Sequence, residues 1–414
     1  MAGLAMSSRG GWYYLALISL TYSISANQFA SAETESWSNV FDTSARYYAW
    51  TNSTGGSGSQ IYVPFAVQTT GRPNDDWKLE FLVRSGYIWS RQSLNGVSAT
   101  GSSVTDTTLG TTVTYYGWQG VQPFVSLNVN APTAGASNGS TSTSRPDSDL
   151  VATPIFGQGW NIGPSGGASF AINQSLVATV SFGYTYRGPF DEGPSLSPLP
   201  PGQAPAAGRL KPGDVSTVNT GLGYKGDRLA AQISVSYSTE TTTYHGALPL
   251  FQAGDRVIVS AKAGYAWTDN WSSRIATSYS HFNRNKVAQV GLPDLVRETL
   301  NSNSDVYSVS FDTSYARANY SIGPVVSYLY RNHNGYDPTN LAFTPAKTSW
   351  SAGVSGQIAP TNTTSISASV AHVWVNEGDS PDKIIPVNFL LVGSGIPASS
   401  TNAWVVSIGS NIRF

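Results

Sequence analysis

Leu176-Val177-Ala178-Thr179-Val180-Ser181-Phe182-Gly183-Tyr184-Thr185-Tyr186-Arg187 is the stretch on which the fold is decided. Successive side chains of an extended chain point to opposite faces. Leu176, Val180, Phe182, Tyr184 and Tyr186 therefore share one face, and Thr179, Ser181, Gly183, Thr185 and Arg187 share the other. The second face is small and polar, poor material for a dry core and good material for a wall against water. Before this stretch stands a one-residue connection at 174, and after it a long Pro-rich segment, 189–214.

Working outward, the same alternation recurs in sixteen runs: 43–52, 60–70, 77–91, 107–118, 122–132, 159–173, 175–188, 215–225, 228–244, 256–268, 271–286, 306–317, 319–332, 348–360, 364–376 and 402–414. Tight connections with turn residues fall at 71–76, 119–121, 174, 226–227, 269–270, 318 and 361–363. Longer ones fall between them at 53–59, 92–106, 133–158, 189–214, 245–255, 287–305, 333–347 and 377–401. Strict alternation of short and long connections is the pattern of a transmembrane up-and-down barrel. The expected fold is thus all-β, a transmembrane antiparallel up-and-down β-barrel of about 16 strands, with 14–18 allowed by the weak first and sixth runs. Aromatics near run ends, such as Trp77 with Trp89 and Tyr265 with Trp267, suit girdles at two membrane interfaces and place the apolar face outward.

Composition agrees. With 23 Lys+Arg, 24 Asp+Glu, a net charge of -1 and 11% charged residues, the chain has no basic footprint for nucleic acid. Its 12% aromatic content is too sticky for a disordered chain. The absence of Cys excludes disulfides, thiolate metal sites and thiol catalysis. His245, His281, His333 and His372 are scattered, so neither a metal nor another cofactor is expected. His281 beside Ser280 resembles a nucleophile and base only in sequence, because neighbours on a strand face opposite ways. His281 falls on the apolar phase as an interfacial side chain, His372 on the apolar phase of its run at a bulge or an interface, and His245 and His333 open outside loops, where solvation is expected.

Residues 1–32 read as a secretory signal, with Arg9, an apolar stretch from Trp12 to about Leu20, and Ala30-Ser31-Ala32 before Glu33. That leaves 33–414 as a single barrel domain. Phase taken from the apolar residues sends Lys78, Arg84, Arg187, Arg256, Lys262, Arg274, Arg284, Arg331 and Arg413 into the lumen, against Glu80, Glu240 and Asp312. Arg46 stays unassigned because its run is ambiguous. Two readings of these charges are open: mutual pairing that keeps the wall wet, or a basic ladder that favours anions. The 133–158 loop, with Arg145, Asp147 and Asp149, is a constriction candidate or a solvated outer loop. The apolar segment 384–397 wants burial as a lid, a solute site, a subunit contact or a hairpin extending its flanking strands.

The chain ends Ser407-Ile408-Gly409-Ser410-Asn411-Ile412-Arg413-Phe414, which resembles the C-terminal signature of Gram-negative outer-membrane barrels of the porin and transporter type. In that family the terminal aromatic strand, here ending in Phe414, is read by the barrel-assembly machinery. Trp118–Thr133 bears a weaker likeness to a strand-turn-strand segment of proteobacterial transporter-type barrels, with Ala134 where those carry glycine. The resemblance implies the cell outer membrane, contact with its lipid and lipopolysaccharide, and by analogy of strand number a homotrimer. The expected function is a porin-like channel for passive diffusion of small hydrophilic solutes, with a mild anion preference from the basic lumen and no enzyme activity. The alternative is a structural or surface-interaction barrel, an adhesin or scaffold, with its pore plugged by loops.

Overall fold

A computed structural model describes residues 37–94, 96–134, 159–191, 209–289, 292–338, 340, 342–379, 386–387, 390–391 and 398–414. The signal segment 1–32, the constriction candidates Arg145, Asp147 and Asp149, and most of 384–397 lie outside them. The strands in chain order are β1 (Trp37–Asn52), β2 (Gly56–Asn74), β3 (Trp77–Leu94), β4 (Val97–Val104, resumed as Thr107–Tyr115), β5 (Val121–Ala131), β6 (Asn161–Ala171), β7 (Leu176–Arg187) and β8 (Val215–Lys225). They continue as β9 (Leu229–Glu240), β10 (Arg256–Ala266), β11 (Trp271–Phe282), β12 (Val306–Arg317), β13 (Tyr320–Arg331), β14 (Lys347–Ile358), β15 (Thr364–Glu377) and β16 (Ser399–Arg413). Both halves of β4 pair with β3, so they are one strand interrupted at Thr105 and Asp106. Each strand pairs antiparallel with the next, and β1 pairs with β16 from Val40↔Arg413 to Asn52↔Thr401, which closes a sixteen-strand barrel.

Closure removes every sheet edge, so the backbone is satisfied inside the wall and the side chains alone decide what each face meets. Val180, Phe182, Ile233, Val235, Ile275, Phe311, Val354, Val406 and Ile408 stand exposed on the outer face. An apolar surface this extensive is stable only against lipid. It is bounded by aromatics at both ends. At the end with the short turns lie Trp77 and Tyr115, 4.8 Å apart, and Trp271 and Tyr315, 5.5 Å apart. At the end with the long loops lie Tyr279, Tyr307 and Tyr330, Tyr328 with Trp350, and Trp374 and Trp404 around His372. His372 is therefore an outer-face interfacial side chain, as its phase predicts.

Three prolines mark local breaks in the wall. Pairing of β1 with β2 skips from Thr43↔Phe65 to Arg46↔Tyr62 around Pro64, and similar gaps accompany Pro164 on the β6–β7 side and Pro324 on the β12–β13 side. Proline has no N–H to give a ladder. At Pro64 the loss is offset by Thr43, whose hydroxyl donates to the Pro64 carbonyl at 3.1 Å.

Two of the long connections are short in the structure. The one expected at 53–59 is the turn 53–55, and the one expected at 92–106 shrinks to the link between Leu94 and Val97, because β2, β3 and β4 run on through Gly- and Ser-rich sequence. Ser57–Ser59 stays paired with the end of β1 at the level of Trp50, while Val97–Val104 pairs among the described residues with β3 alone, since β5 pairs only with Thr107–Thr114. Described parts of the other long connections build a rim. Leu210–Lys211, Thr243–His245, Leu248–Gln252, Lys286–Val287 and Val296–Arg297 form a small five-stranded sheet there. Contrary to solvation, His245 is a member of this sheet with a buried Nδ1, whereas His333 is exposed as expected, its Nδ1 2.7 Å from the Asn334 carbonyl. Pro386–Val387 and Leu390–Leu391 pair as a separate two-stranded sheet and not as an extension of β15 and β16.

A repeated pin ties rim to wall. Tyr184 donates to Asp214 at 2.9 Å, Tyr237 to Asp255, and Tyr279 to Asp305 at 3.2 Å. Each tyrosine lies three residues before the end of a strand, and each aspartate immediately precedes the next strand. His281 joins the last pin, its Nδ1 2.7 Å from Asp305.

Candidate functional site: the lumen wall

The concave face is the polar one. A hollow of about 300 Å³ along the strands from β11 to β16 is lined mostly by polar side chains, Arg274, Asp312, Ser314, Ser321, Ser355, Gln357, Ser367, Ser369 and Ser407 among them, with Thr313, Ile322, Gly356 and Ala368. The nine polar residues named first are opposite in phase to the exposed apolar residues of the same strands. The wall is therefore small and hydroxylated, and it carries the charges.

Register fixes which charges meet. Lys78 Nζ is 3.0 Å from Glu80, Arg187 stands 3.1 Å from Glu240 as an ion pair, and Arg274 Nε donates to Asp312 at 2.8 Å. Each expected lumen acid is thus matched by one base. The arginine and aspartate of the last pair face each other directly across β11 and β12. Arg331 pairs with Glu377 at 2.8 Å, and Lys347 approaches the other carboxylate oxygen of Glu377 at 3.1 Å. Glu377 and Lys347 escape the sequence reading because both sit one residue outside the runs 348–360 and 364–376, at strand ends where alternation fades.

The remaining bases have no carboxylate partner among the described residues. Arg84 and Lys262 lie on the wall, and Arg256 donates to Ser280 at 3.1 Å and stacks over Phe282 at 4.6 Å. Arg46 is on the lumen face, opposite Tyr62 and Ser407 and within hydrogen-bond reach of the Tyr48 hydroxyl. Its phase is unreadable in sequence because Tyr47 and Tyr48 are consecutive aromatics, of which the first is exposed outside and the second buried inside. Arg284 lies two residues past the end of β11, exposed at the rim, and Arg413 pairs with Val40 at the turn end. Ser280 and His281 face opposite sides, Ser280 toward Arg256 inside and His281 toward Asp305 outside, so they do not form a nucleophile and base.

The 133–158 loop is anchored at the lumen side of the rim. Asp106 accepts from the Ala134 N–H at 3.0 Å and from Asn130 Nδ2 at 3.2 Å, while Thr133 donates to the Thr105 carbonyl at 2.8 Å. Asn130 Nδ2 also reaches the carbonyl of Gly159 at 3.4 Å, where the chain returns in a left-handed turn with φ 47. Both Asn130 and its cross-strand partner Asn161 are buried and inward in phase.

No protein-family model matches the chain, and no curated protein matches it in sequence. Among solved structures, OccK7 (OpdD) of Pseudomonas aeruginosa is similar at a TM-score of 0.43 and 7% identity, covering 92% of this chain and 100% of that one. The toluene transporter TodX of P. putida is similar at 0.41 and 10% identity, covering 93% and 91%. OccK3 (OpdO) of P. aeruginosa is similar at 0.40 and 10% identity, covering 90% and 95%. At such scores the reading of the lumen rests on this chain's own residues: a closed sixteen-strand membrane-spanning barrel whose inner wall is hydroxylated and carries bases in excess of its acids.

Proposed function

We propose that this protein is a channel of the Gram-negative outer membrane through which small hydrophilic solutes diffuse passively, with a mild preference for anions. One observation carries the reading: on a wall of small polar side chains, Glu80, Glu240 and Asp312 each have a basic partner, while Arg46, Arg84, Arg256 and Lys262 have no carboxylate partner among the described residues. In a confined aqueous path, uncompensated bases lower the barrier for anions. Anchoring of 133–158 at Asp106 and Asn130 supports a loop that narrows the bore, with Arg145, Asp147 and Asp149 as its charges. The terminal Phe414, exposed on the outer face and bonded through its backbone to Asn39, supports a role as the signal read by the assembly machinery.

Reversal potentials in planar bilayers under an about tenfold KCl gradient test this. Chloride preference is expected, and the Arg84→Gln, Lys262→Gln double variant moves the potential toward zero. Cation selectivity of the unmodified protein refutes the anion preference. A second reading, a structural barrel with a filled pore, is favoured by the complete enclosure of Gln60 on the lumen face. Liposomes carrying the protein that take up neither small sugars nor organic acids decide for it.

A further inference from the structure

The lumen wall is not uniform. Across most of the barrel it presents Ser, Thr and Gly, but on β1, β2, β3, β15 and β16 it carries Tyr48, Trp50, Tyr62, Ile88 and Ala403 as an apolar cluster, with Val373 and Val405 packed against it. On a single layer of sheet, large rings should protrude and be wetter than small side chains. The reverse is found. The five cluster residues are between 1% and 7% exposed and Gln60 beside them is 0% exposed. Ser314, Ser321, Ser355 and Ser407, on the inner face of β12, β13, β14 and β16, are only half-buried. Val373 and Val405, the apolar neighbours among the described residues, belong to the wall itself, so they add no second layer. The burial also has a limit. Arg46, opposite Tyr62, and Arg84, two residues along β3 from Gly86, are exposed. A cover thus reaches from the long-loop end down to the level of Tyr62 and stops there.

Chemistry and reach select what covers it. A second copy of the chain cannot enter a closed barrel, and such low exposure leaves no room for a free solute. The 133–158 loop is Ser- and Gly-rich over 135–149 and is rooted farther round the wall, beside Asp106 and Asn130. The connection from β15 to β16 has both the composition and the position. Ile384-Ile385-Pro386-Val387-Asn388-Phe389-Leu390-Leu391-Val392 is apolar at all but Asn388, and its backbone pairs Pro386 with Leu391 and Val387 with Leu390 as a hairpin apart from the wall. Left in water, such a run is an exposed apolar patch. Its arms start at Glu377 and Ser399, on the two strands that carry Val373, Val375, Ala403 and Val405. Extended, the arms from Glu377 to Pro386 and from Leu391 to Ser399 span about 26 Å. Ser407, which pairs with Arg46 where the cover stops, lies about the same 26 Å along β16 from Ser399.

We propose that the 384–392 hairpin docks on this cluster inside the barrel as a second apolar layer. Docking removes from water two apolar surfaces of the same chain at once, the run 384–392 and the rings of the wall. At the long-loop end it takes the sector of β15, β16 and β1–β3 out of the aqueous path, so that solutes pass along the hydroxylated wall of the remaining strands. The inference goes beyond the channel reading and does not depend on it, since a docked hairpin buries the same side chains whether or not the remaining bore conducts.

The chain has no Cys, so introduced thiols are the only ones present. Ala403→Cys and, as a second seat, Val375→Cys are each compared with the same variant carrying a Gly/Ser stretch of equal length in place of 384–392. All are used as folded barrels, whose gel mobility changes on boiling. A water-soluble maleimide should label either thiol at least about tenfold faster once the hairpin is replaced, because a covered thiol does not meet the reagent. Oxidation of Ala403→Cys together with Val387→Cys, Phe389→Cys or Leu391→Cys should form a disulfide in at least one pair. With Ser236→Cys, on the inner face of β9, in place of Ala403→Cys, the yield should fall at least about fivefold. Equal labelling with and without 384–392 shows that the wall alone buries the cluster and overturns the proposal. A disulfide between Ser142→Cys and Ala403→Cys, with none from the hairpin, assigns the seat to 133–158 and overturns it equally. Conductance enters neither readout, so a barrel that passes no solute leaves the test intact.

Discussion

Replacing Glu377 by Gln tests the paired part of the wall. Its carboxylate takes Arg331 at 2.8 Å and Lys347 at 3.1 Å, with side-chain exposures of 31%, 12% and 8% respectively. The substitution keeps shape and removes charge, so it leaves two cations near each other with their shared anion gone. Breaking a buried pair in this way costs ~3–5 kcal/mol. Two facts reduce that figure: Glu377 is partly in water, and Arg331 keeps a bond to the Pro345 carbonyl at 3.1 Å. The expected loss is about 2–3 kcal/mol, a factor of roughly 30–150 in the folding equilibrium. Urea titration in lipid vesicles, followed by tryptophan fluorescence and extrapolated linearly, measures it. Adding Lys347→Met to the Glu377→Gln variant should return about half of the loss, because it removes the more buried of the two cations. A loss below about 0.5 kcal/mol together with strict additivity of the two substitutions would show that the ion cluster is solvated and the burial argument wrong.

Asp214 gives a pH dependence. Partial burial opposes its ionisation, but bonds from Lys211 at 2.8 Å, the Arg187 N–H and Tyr184 outweigh burial and hold the carboxyl below its ordinary range. A depressed folded value stabilises the rim fully above the unfolded pKa of about 3.9, and that stabilisation is lost as pH falls through the folded value. Amide exchange around 210–214 and 241–245 should therefore quicken only below about pH 4, and the Asp214→Asn variant should exchange fast throughout; a wild type with flat exchange down to pH 3 contradicts this. Deleting Phe414 removes two backbone bonds to Asn39 of 3.0 Å each and an outward aromatic ring, so the amount of folded protein in the outer membrane should drop severalfold. Unchanged assembly would sink the terminal-strand reading.

Much of this wall is legible in one dimension. Leu176–Arg187 shows both faces in twelve residues, and the sixteen runs each coincide with a barrel strand, because the period of a strand is a local property. The lipid face is easy to read for the same reason, since it must be apolar at every second position of every span. Less legible were the strand ends. Gly56–Ser59 and Ser98–Ser103 show no alternation, yet they are strands, because pairing with the neighbouring strands holds them and, at Gly58, the missing side chain makes room for the Trp50 ring.

What the sequence by itself determined is the kind of wall: an up-and-down barrel of about sixteen strands, their order, the outward and inward faces, and the surplus of bases inside. What only the tertiary structure decided is which inward groups meet. Whether Arg274 finds Asp312, or Arg84 finds no acid among the described residues, depends on the stagger of neighbouring strands around a closed barrel. That stagger is set by all sixteen strands together. The apolar cluster at Tyr48, Trp50 and Tyr62 belongs to the same class of fact. Its rings come from two strands and its space from glycines on β2 and β3, so no single stretch of chain contains it.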